Sequence, residues 1–287
     1  MAKYKIFVDT GADIPEEMAK ANDIGIIRFM SVFGETAYIS GTELSNKQFY
    51  EKLVTAENIP TTSQTPYADM YDILKQASDE NDTVIYFTLS SKASGQHNTA
   101  LMIRNEILEE NPSADIRIVD TMRFSVYETL AALHTKKLLD EGMGVDEALE
   151  KCEEYLATWK AYLLVDTLKY LEKGGRINKT SAIVGSLLDI KPVLTIKDGL
   201  IESVEKLRGK KKLYKKFVEL IRECPDFDEE SGEFIIVQSN EEYGAEMCEV
   251  LKEEFGINDV VGNYEFGPIV GTHAGPGALA VLFRVKK

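Results

Sequence analysis

The sequence predicts an α/β protein of two domains: an N-terminal, mostly parallel sheet with helices on both faces, then a C-terminal α+β domain. Three observations carry this. Strand and helix signals alternate from residue 5 to about residue 157, the pattern of a parallel sheet covered by its crossover helices. Residues 83–88, Thr-Val-Ile-Tyr-Phe-Thr, form a β-rich run without polar alternation, as strands buried on both faces do. Beyond residue 160 the pattern changes to strands joined by a hairpin at Asp198–Gly199. The boundary falls near residue 160, giving domains 1–160 and 161–287.

In chain order, residues 5–8 are a short apolar strand and residues 9–13 a polar loop. Pro15 opens a helix at its first turn, where a missing N–H costs little. Residues 24–32 read as one strand. Ser45 caps a helix that runs to about Ala56. Residues 60–66 form a hydroxyl-rich loop, followed by a helix to about Ser78. After the strand at 83–88, a serine-rich loop at 90–95 leads into a helix to about Leu108. A strand at 116–119 and two helical stretches within 126–157 complete the first half.

In the second half, residues 161–165 are a strand and 166–173 a short helix broken by Gly174–Gly175. Strands at 191–196 and 200–204 flank Asp198–Gly199, whose turn needs positive φ. A basic helix begins near Lys210. A strand at 234–237, a helix from about Glu242 to Phe255 and a strand at 279–285 follow.

Composition narrows the function. Lys plus Arg is 33 and Asp plus Glu is 48, a net charge of −15. Such a surface repels phosphate backbones and anionic lipid, which argues against nucleic acid and against a membrane surface. No apolar run approaches the roughly 18–20 residues a bilayer span needs, and Met1-Ala2-Lys3 leads into an apolar run too short for a signal peptide. Cys152, Cys224 and Cys248 are far apart and odd in number, so they read as free thiols in a reducing compartment. A cytoplasmic protein is expected.

Two loops after strands are dense in hydroxyls: Thr61-Thr62-Ser63-Gln64 and Ser90-Ser91-Lys92-Ala93-Ser94-Gly95. In a doubly wound sheet, ligands sit at the carboxyl ends of the strands. Ser94–Gly95 also opens a helix, whose free N–H groups and positive dipole end suit a carboxylate. The same residues serve equally as caps and turn formers. Around His273, Gly271-Thr-His-Ala-Gly-Pro-Gly277 implies an irregular backbone brought close to something, or a turn with a satisfied histidine. His97 and His134 lie in helical stretches and read as surface or packing residues. Arg176 follows two glycines on an expected exposed loop, where it meets an anion, a partner or one of the many acidic side chains. Arg208 stands in a basic island at 205–212 that is a solvated face or a dock for an acidic partner. There is no Gly-x-Ser-x-Gly elbow, no Walker A loop, no G-x-G-x-x-G after the first strand and no metal-ligand spacing. Donors without a paired base suggest binding rather than turnover.

Together these segments resemble the DegV family of fatty-acid-binding proteins that serve bacterial fatty acid kinase. The landmarks are Val8-Asp9-Thr10-Gly-Ala-Asp13-Ile-Pro15, Pro60-Thr-Thr62-Ser-Gln64, Leu89-Ser-Ser-Lys-Ala-Ser94-Gly95, Leu168-Lys-Tyr-Leu-Glu-Lys-Gly-Gly-Arg176-Ile177, Gly185-Ser-Leu-Leu-Asp-Ile190-Lys-Pro192 and Gly271-Thr-His273-Ala-Gly275-Pro-Gly277. The resemblance implies a ligand tunnel between the two domains that holds a long-chain fatty acid. It implies that Thr62, Ser94 and His273 hold the carboxyl group, that a fatty acid kinase phosphorylates it, and that Arg176 and Arg208 face that kinase. No cofactor, no metal and no catalytic residue are implied. The chain departs from the family's usual residues at Thr10, Ile26-Ile27-Arg28, Thr65, Lys92-Ala93 and His97, none of them a carboxyl donor.

Burial of about fourteen methylenes contributes on the order of 11 kcal/mol before entropy costs, so a modest polar head site suffices. Two hydroxyls and an imidazole can each donate to the carboxylate. With no Lys or Arg beside them, they leave its oxygen available as a phosphoryl acceptor. The alternative is a hydrolase or acyltransferase using Ser94 with His273. A third reading is a small-molecule binding domain that shares only the fold.

Overall fold

A computed structural model describes residues 3–177, 190–208 and 213–286. The Gly185–Asp189 part of the fifth landmark and residues 209–212 of the basic island lie outside the described residues. The chain divides into two compact units. One comprises Met1–Ser45 and Pro60–Leu156, the other Asn46–Ile59 and Ala157–Lys287.

The first half of the chain forms β1 (Tyr4–Asp9), α1 (Glu16–Ala21), β2 (Ile24–Ile27), β3 (Met30–Phe33), β4 (Thr36–Ile39), α2 (Asn46–Thr55), β5 (Thr61–Ser63), α3 (Tyr67–Glu80), β6 (Thr83–Thr88), α4 (Gln96–Glu110), β7 (Asp115–Asp120), α5 (Val126–Asp140) and α6 (Val145–Leu156). Of these, α2 belongs to the second unit. The main sheet has the order β2-β1-β6-β7 with every pair parallel. All of β6 is buried, which is why its sequence shows no polar alternation. On one face, α3 and α4 bury Met70, Leu74, Ala100, Ile103 and Ile107 against Phe7, Val84 and Tyr86. On the other, the first two turns of α5 are buried throughout, and α6 packs on α5.

The single strand expected over 24–32 is instead two. β2 ends at Ile27, and β3 enters a separate antiparallel sheet of order β4-β3-β5. At the break the Phe29 carbonyl accepts from the Ser40 amide at 3.0 Å, and side chains satisfy two further backbone groups. Phe29 N donates to Thr10 Oγ1 at 3.0 Å, and Thr65 Oγ1 donates to the Arg28 carbonyl at 2.9 Å. Arg28 is turned outward to Glu16 at 2.8 Å. The loop expected at 60–66 contains β5, three polar residues paired with β3. Short polar strands carry no hydrophobic period and escape pattern reading.

The second half continues with β8 (Trp159–Leu164), α7 (Lys169–Gly174), β9 (Ile190–Lys197), β10 (Leu200–Arg208), α8 (Leu213–Arg222), β11 (Phe234–Gln238), α9 (Glu241–Phe255), β12 (Gly262–Glu265), α10 (Pro268–Ala274) and β13 (Leu279–Arg284). The sheet order is β10-β9-β8-β13-β11-β12, and only the β11–β12 pair is parallel. Asp198 and Gly199 take φ of 49° and 75°, the doubly left-handed turn that the hairpin requires. α8 and α9 bury Phe217, Ile221, Met247 and Leu251 against Phe234, Ile236, Val281 and Phe283. The segment expected to be irregular around His273 is helical as far as Ala274, in α10, and irregular beyond it, where Gly275 and Gly277 take φ of 83° and 84°. Pro268 opens α10, and Gly271 sits inside it because a Cβ there would fall 2.6 Å from the Tyr50 hydroxyl of α2. The close approach expected of this segment is present, but at Gly271 the backbone that makes it is helical.

Cys152 and Cys224 are buried, Cys248 is partly buried, and all three are free thiols. No helix among the described residues is long and apolar enough to cross a membrane.

Candidate functional site

In the first unit, Thr62 sits in β5 opposite Ser31 of β3, and Ser94 lies just before α4. The amide of Ser94 donates to the Ser90 carbonyl at 3.1 Å, and its hydroxyl accepts from the Gln96 amide at 3.2 Å. The structure brings these two hydroxyl segments together. Gln64 Oε1 accepts from Thr99 Oγ1 of α4 at 3.3 Å and lies 3.1 Å from where a Cβ of Gly95 would stand. Gln96 clamps the other side. Its Oε1 accepts from the Thr65 amide at 3.3 Å, and its Nε2 donates to Thr65 Oγ1 at 3.0 Å and Tyr86 Oη at 2.9 Å. Sequence reading missed Gln96, because a fully buried amide in a helix first turn has no local signature. His97 shares a hydrogen bond of 3.0 Å with Thr88 Oγ1, and His134 stacks on Tyr155 at 4.1 Å. Both are packing residues, as their helical positions suggest.

In the second unit, His273 occupies the last turn of α10, which Gly275 ends at φ +83°. The imidazole is mostly enclosed, and α7 forms one wall. A Cβ on Gly174 would lie 2.2 Å from Nδ1, so the Gly-Gly pair of one landmark makes room for the histidine of another. Burial, and then the charge of Arg176, lower the imidazole pKa from 6.5 to about 4. His273 is therefore neutral at neutral pH and donates through only one nitrogen. No cation is expected beside the donors, but the charge of Arg176 acts on one of them, His273. Arg176 is half-buried, its guanidinium donates to the Gly174 carbonyl, and burial lowers its own pKa. Arg208 is exposed at the end of β10, where its carbonyl accepts from Lys216 Nζ at 3.2 Å.

The second unit also holds a pocket of about 520 Å³ between the ends of β8 and β13 and helices α8 and α9. Leu164, Leu213, Val250 and Leu279 give it an apolar lining, with Tyr214 and Tyr243 beside them. Asp166 and Lys191, which pair with each other, stand at it together with Lys215, Glu246 and Gly277. Its volume is within the range of small-molecule sites. Among the described residues no group of three or more His, Cys, Asp or Glu side chains could hold a metal ion.

The family model described as "Uncharacterised protein, DegV family" matches residues 3–286. A DegV domain-containing protein of Clostridium perfringens is 34% identical over 288 residues, covering 99% of this chain and 98% of its own. The crystal structure of Bacillus subtilis DegV, described as a fatty acid binding protein, is similar at 30% identity and TM-score 0.85, with 100% of both chains covered. A fatty acid binding DegV family protein of Streptococcus agalactiae is similar at 28% identity and TM-score 0.84, again over 100% of both chains. With a match across nearly its whole length, this chain belongs to the DegV family.

Proposed function

We propose that this protein binds a long-chain fatty acid, holds its carboxyl with Thr62, Ser94 and His273, and presents that carboxyl to a fatty acid kinase for acyl-phosphate formation. The acyl chain lodges in the apolar pocket of the second unit. The observation that carries this reading is the pocket itself: it reaches Gly277, in the same segment as His273, and its apolar lining suits a hydrocarbon. The relatives of Bacillus subtilis and Streptococcus agalactiae, described as fatty acid binding, support it. Two hydroxyls and a neutral imidazole supply hydrogen bonds to a carboxylate, while most of the affinity comes from the buried chain.

The protein acts as a carrier and not as an enzyme, and it works in the cytoplasm on acid taken from solution. A general base is most effective with a pKa near the working pH, and an imidazole at about 4 is a weak one. That favours a binding role for His273 over proton abstraction from Ser94.

The test is solvent extraction of the purified protein followed by mass spectrometry of the lipid. A stoichiometric long-chain acid is expected. An empty extract, repeated after incubation with palmitate and oleate, would overturn the proposal.

A further inference from the structure

The carboxyl end of β1 carries a fully buried acid, Asp9, and the first turn of α5 carries another, Glu128. Asp9 ties two loops. Its Oδ1 accepts from the Gly11 amide at 2.7 Å, and its Oδ2 accepts from the Leu89 amide at 3.3 Å, one residue before the serine loop at 90–95. α5 is pinned over the same turn, with Thr129 Oγ1 donating to the Ala12 carbonyl at 2.9 Å. Neither oxygen of Glu128 receives a well-formed hydrogen bond from an N–H or O–H of the described residues. What faces it is Asp9, through its carboxyl and, more weakly, its backbone N–H. Asp13, which accepts from the Ser125 hydroxyl, adds a third acid, and the Tyr86 phenol of β6 faces both buried carboxyls. No Lys or Arg of the described residues forms an ion pair with either carboxyl, and none is among the main influences on them.

Two carboxylates side by side in a dry site without a cation cannot both stay ionised. Two acceptor groups form a hydrogen bond only when one carries a proton. We propose that Asp9 and Glu128 are a proton-binding site, with the last proton held on Glu128 and donated to Asp9, and that this proton fastens the base of the 90–95 loop to β1. When it leaves, two buried charges repel, Asp9 draws water, and the Leu89 tie is lost.

Burial raises Asp9 to about 7 and Glu128 well above its ordinary value, so the two titrate as a pair. Both values lie above the unfolded ones of 3.8 and 4.5. The stability the pair contributes is therefore complete below about pH 4 and lost as pH rises through about 7 and beyond.

The test uses the full chain stripped of lipid. Infrared spectra at about pH 8, where ordinary carboxyls are ionised, should show a protonated carboxyl band in the wild type that Glu128→Gln lacks. Amide exchange at Leu89 and across residues 90–95 should quicken as that band disappears on raising the pH. Glu128→Gln, which donates to Asp9 at any pH, should lose fewer degrees of Tm between about pH 6 and 9 than the wild type. If Glu128→Gln does not fold, the wild-type titration alone decides. Absence of a protonated carboxyl at about pH 8, or exchange in the loop that ignores the titration, would overturn the proposal. Failure to bind fatty acid would leave these readings untouched and count against the function instead.

Discussion

His273 lies against the backbone of Gly174, with the imidazole Nδ1 2.2 Å from where a Cβ of that glycine would be. Two sequence landmarks that read as separate features, Gly174–Gly175 and the glycine-rich segment, are thus one packing unit. Gly174→Ala should displace the imidazole and destabilise the second unit by about 1–3 kcal/mol, the usual cost of overpacking. Urea unfolding and fatty acid affinity together check this. Unchanged stability with unchanged affinity would mean that the wall yields without consequence.

The low pKa of His273 fixes the sign of its acid dependence. The unfolded chain takes up a proton near 6.5 and the folded chain only near 4, so stability should fall as pH drops through that window. His273→Gln removes this component. Tm of the two proteins at about pH 7 and pH 4.5 should converge toward acid; parallel losses would refute it.

Gln96 satisfies Thr65 and Tyr86 inside the first unit. Gln96→Leu leaves a buried amide and a buried phenol unpaired and should cost about 1–3 kcal/mol. It should also weaken fatty acid binding, because the clamp aligns the segments that carry Thr62 and Ser94. Denaturant titration and binding isotherms read the two effects separately.

Val250 lines the pocket of the second unit from α9. Val250→Trp should fill that space and cut the uptake of long-chain acids at least tenfold, a loss of about 1.4 kcal/mol or more. Octanoate, which needs less room, should lose less. Equal affinity for all lengths would move the acyl chain elsewhere.

Arg176 stands behind His273, with its guanidinium on the Gly174 carbonyl. Arg176→Ala should leave lipid binding intact and slow phosphorylation of the bound acid by a fatty acid kinase, measured as acyl phosphate formed per unit time. Removing its charge should also raise the His273 pKa, visible in the NMR titration of the ring protons. Loss of lipid uptake would instead assign Arg176 to ligand binding.

Much of this was legible along the chain. The buried run of β6, the Asp198–Gly199 hairpin and the alternation of strands and helices are local consequences of burial and backbone preference, and they yield the α/β class directly. The hydroxyl loops and the His273 segment announced themselves by composition. Local pattern misled where a tertiary contact overrode it. Hydroxyls of Thr10 and Thr65 cut residues 24–33 into two strands, and Tyr50 demands the glycine that hid α10. β5 and β12 are too short and polar to carry a period.

What the sequence determined by itself is therefore the set of elements with strong periodicity and the chemical character of three donor segments. Only the tertiary structure decided that Gln64 and Gln96 join the first two segments, that Gly174 walls in His273, and that Asp9 meets Glu128. The reason is physical. Periodicity reports which side of an element is buried, whereas a pKa, a clamp or a close approach depends on which distant residue arrives beside it.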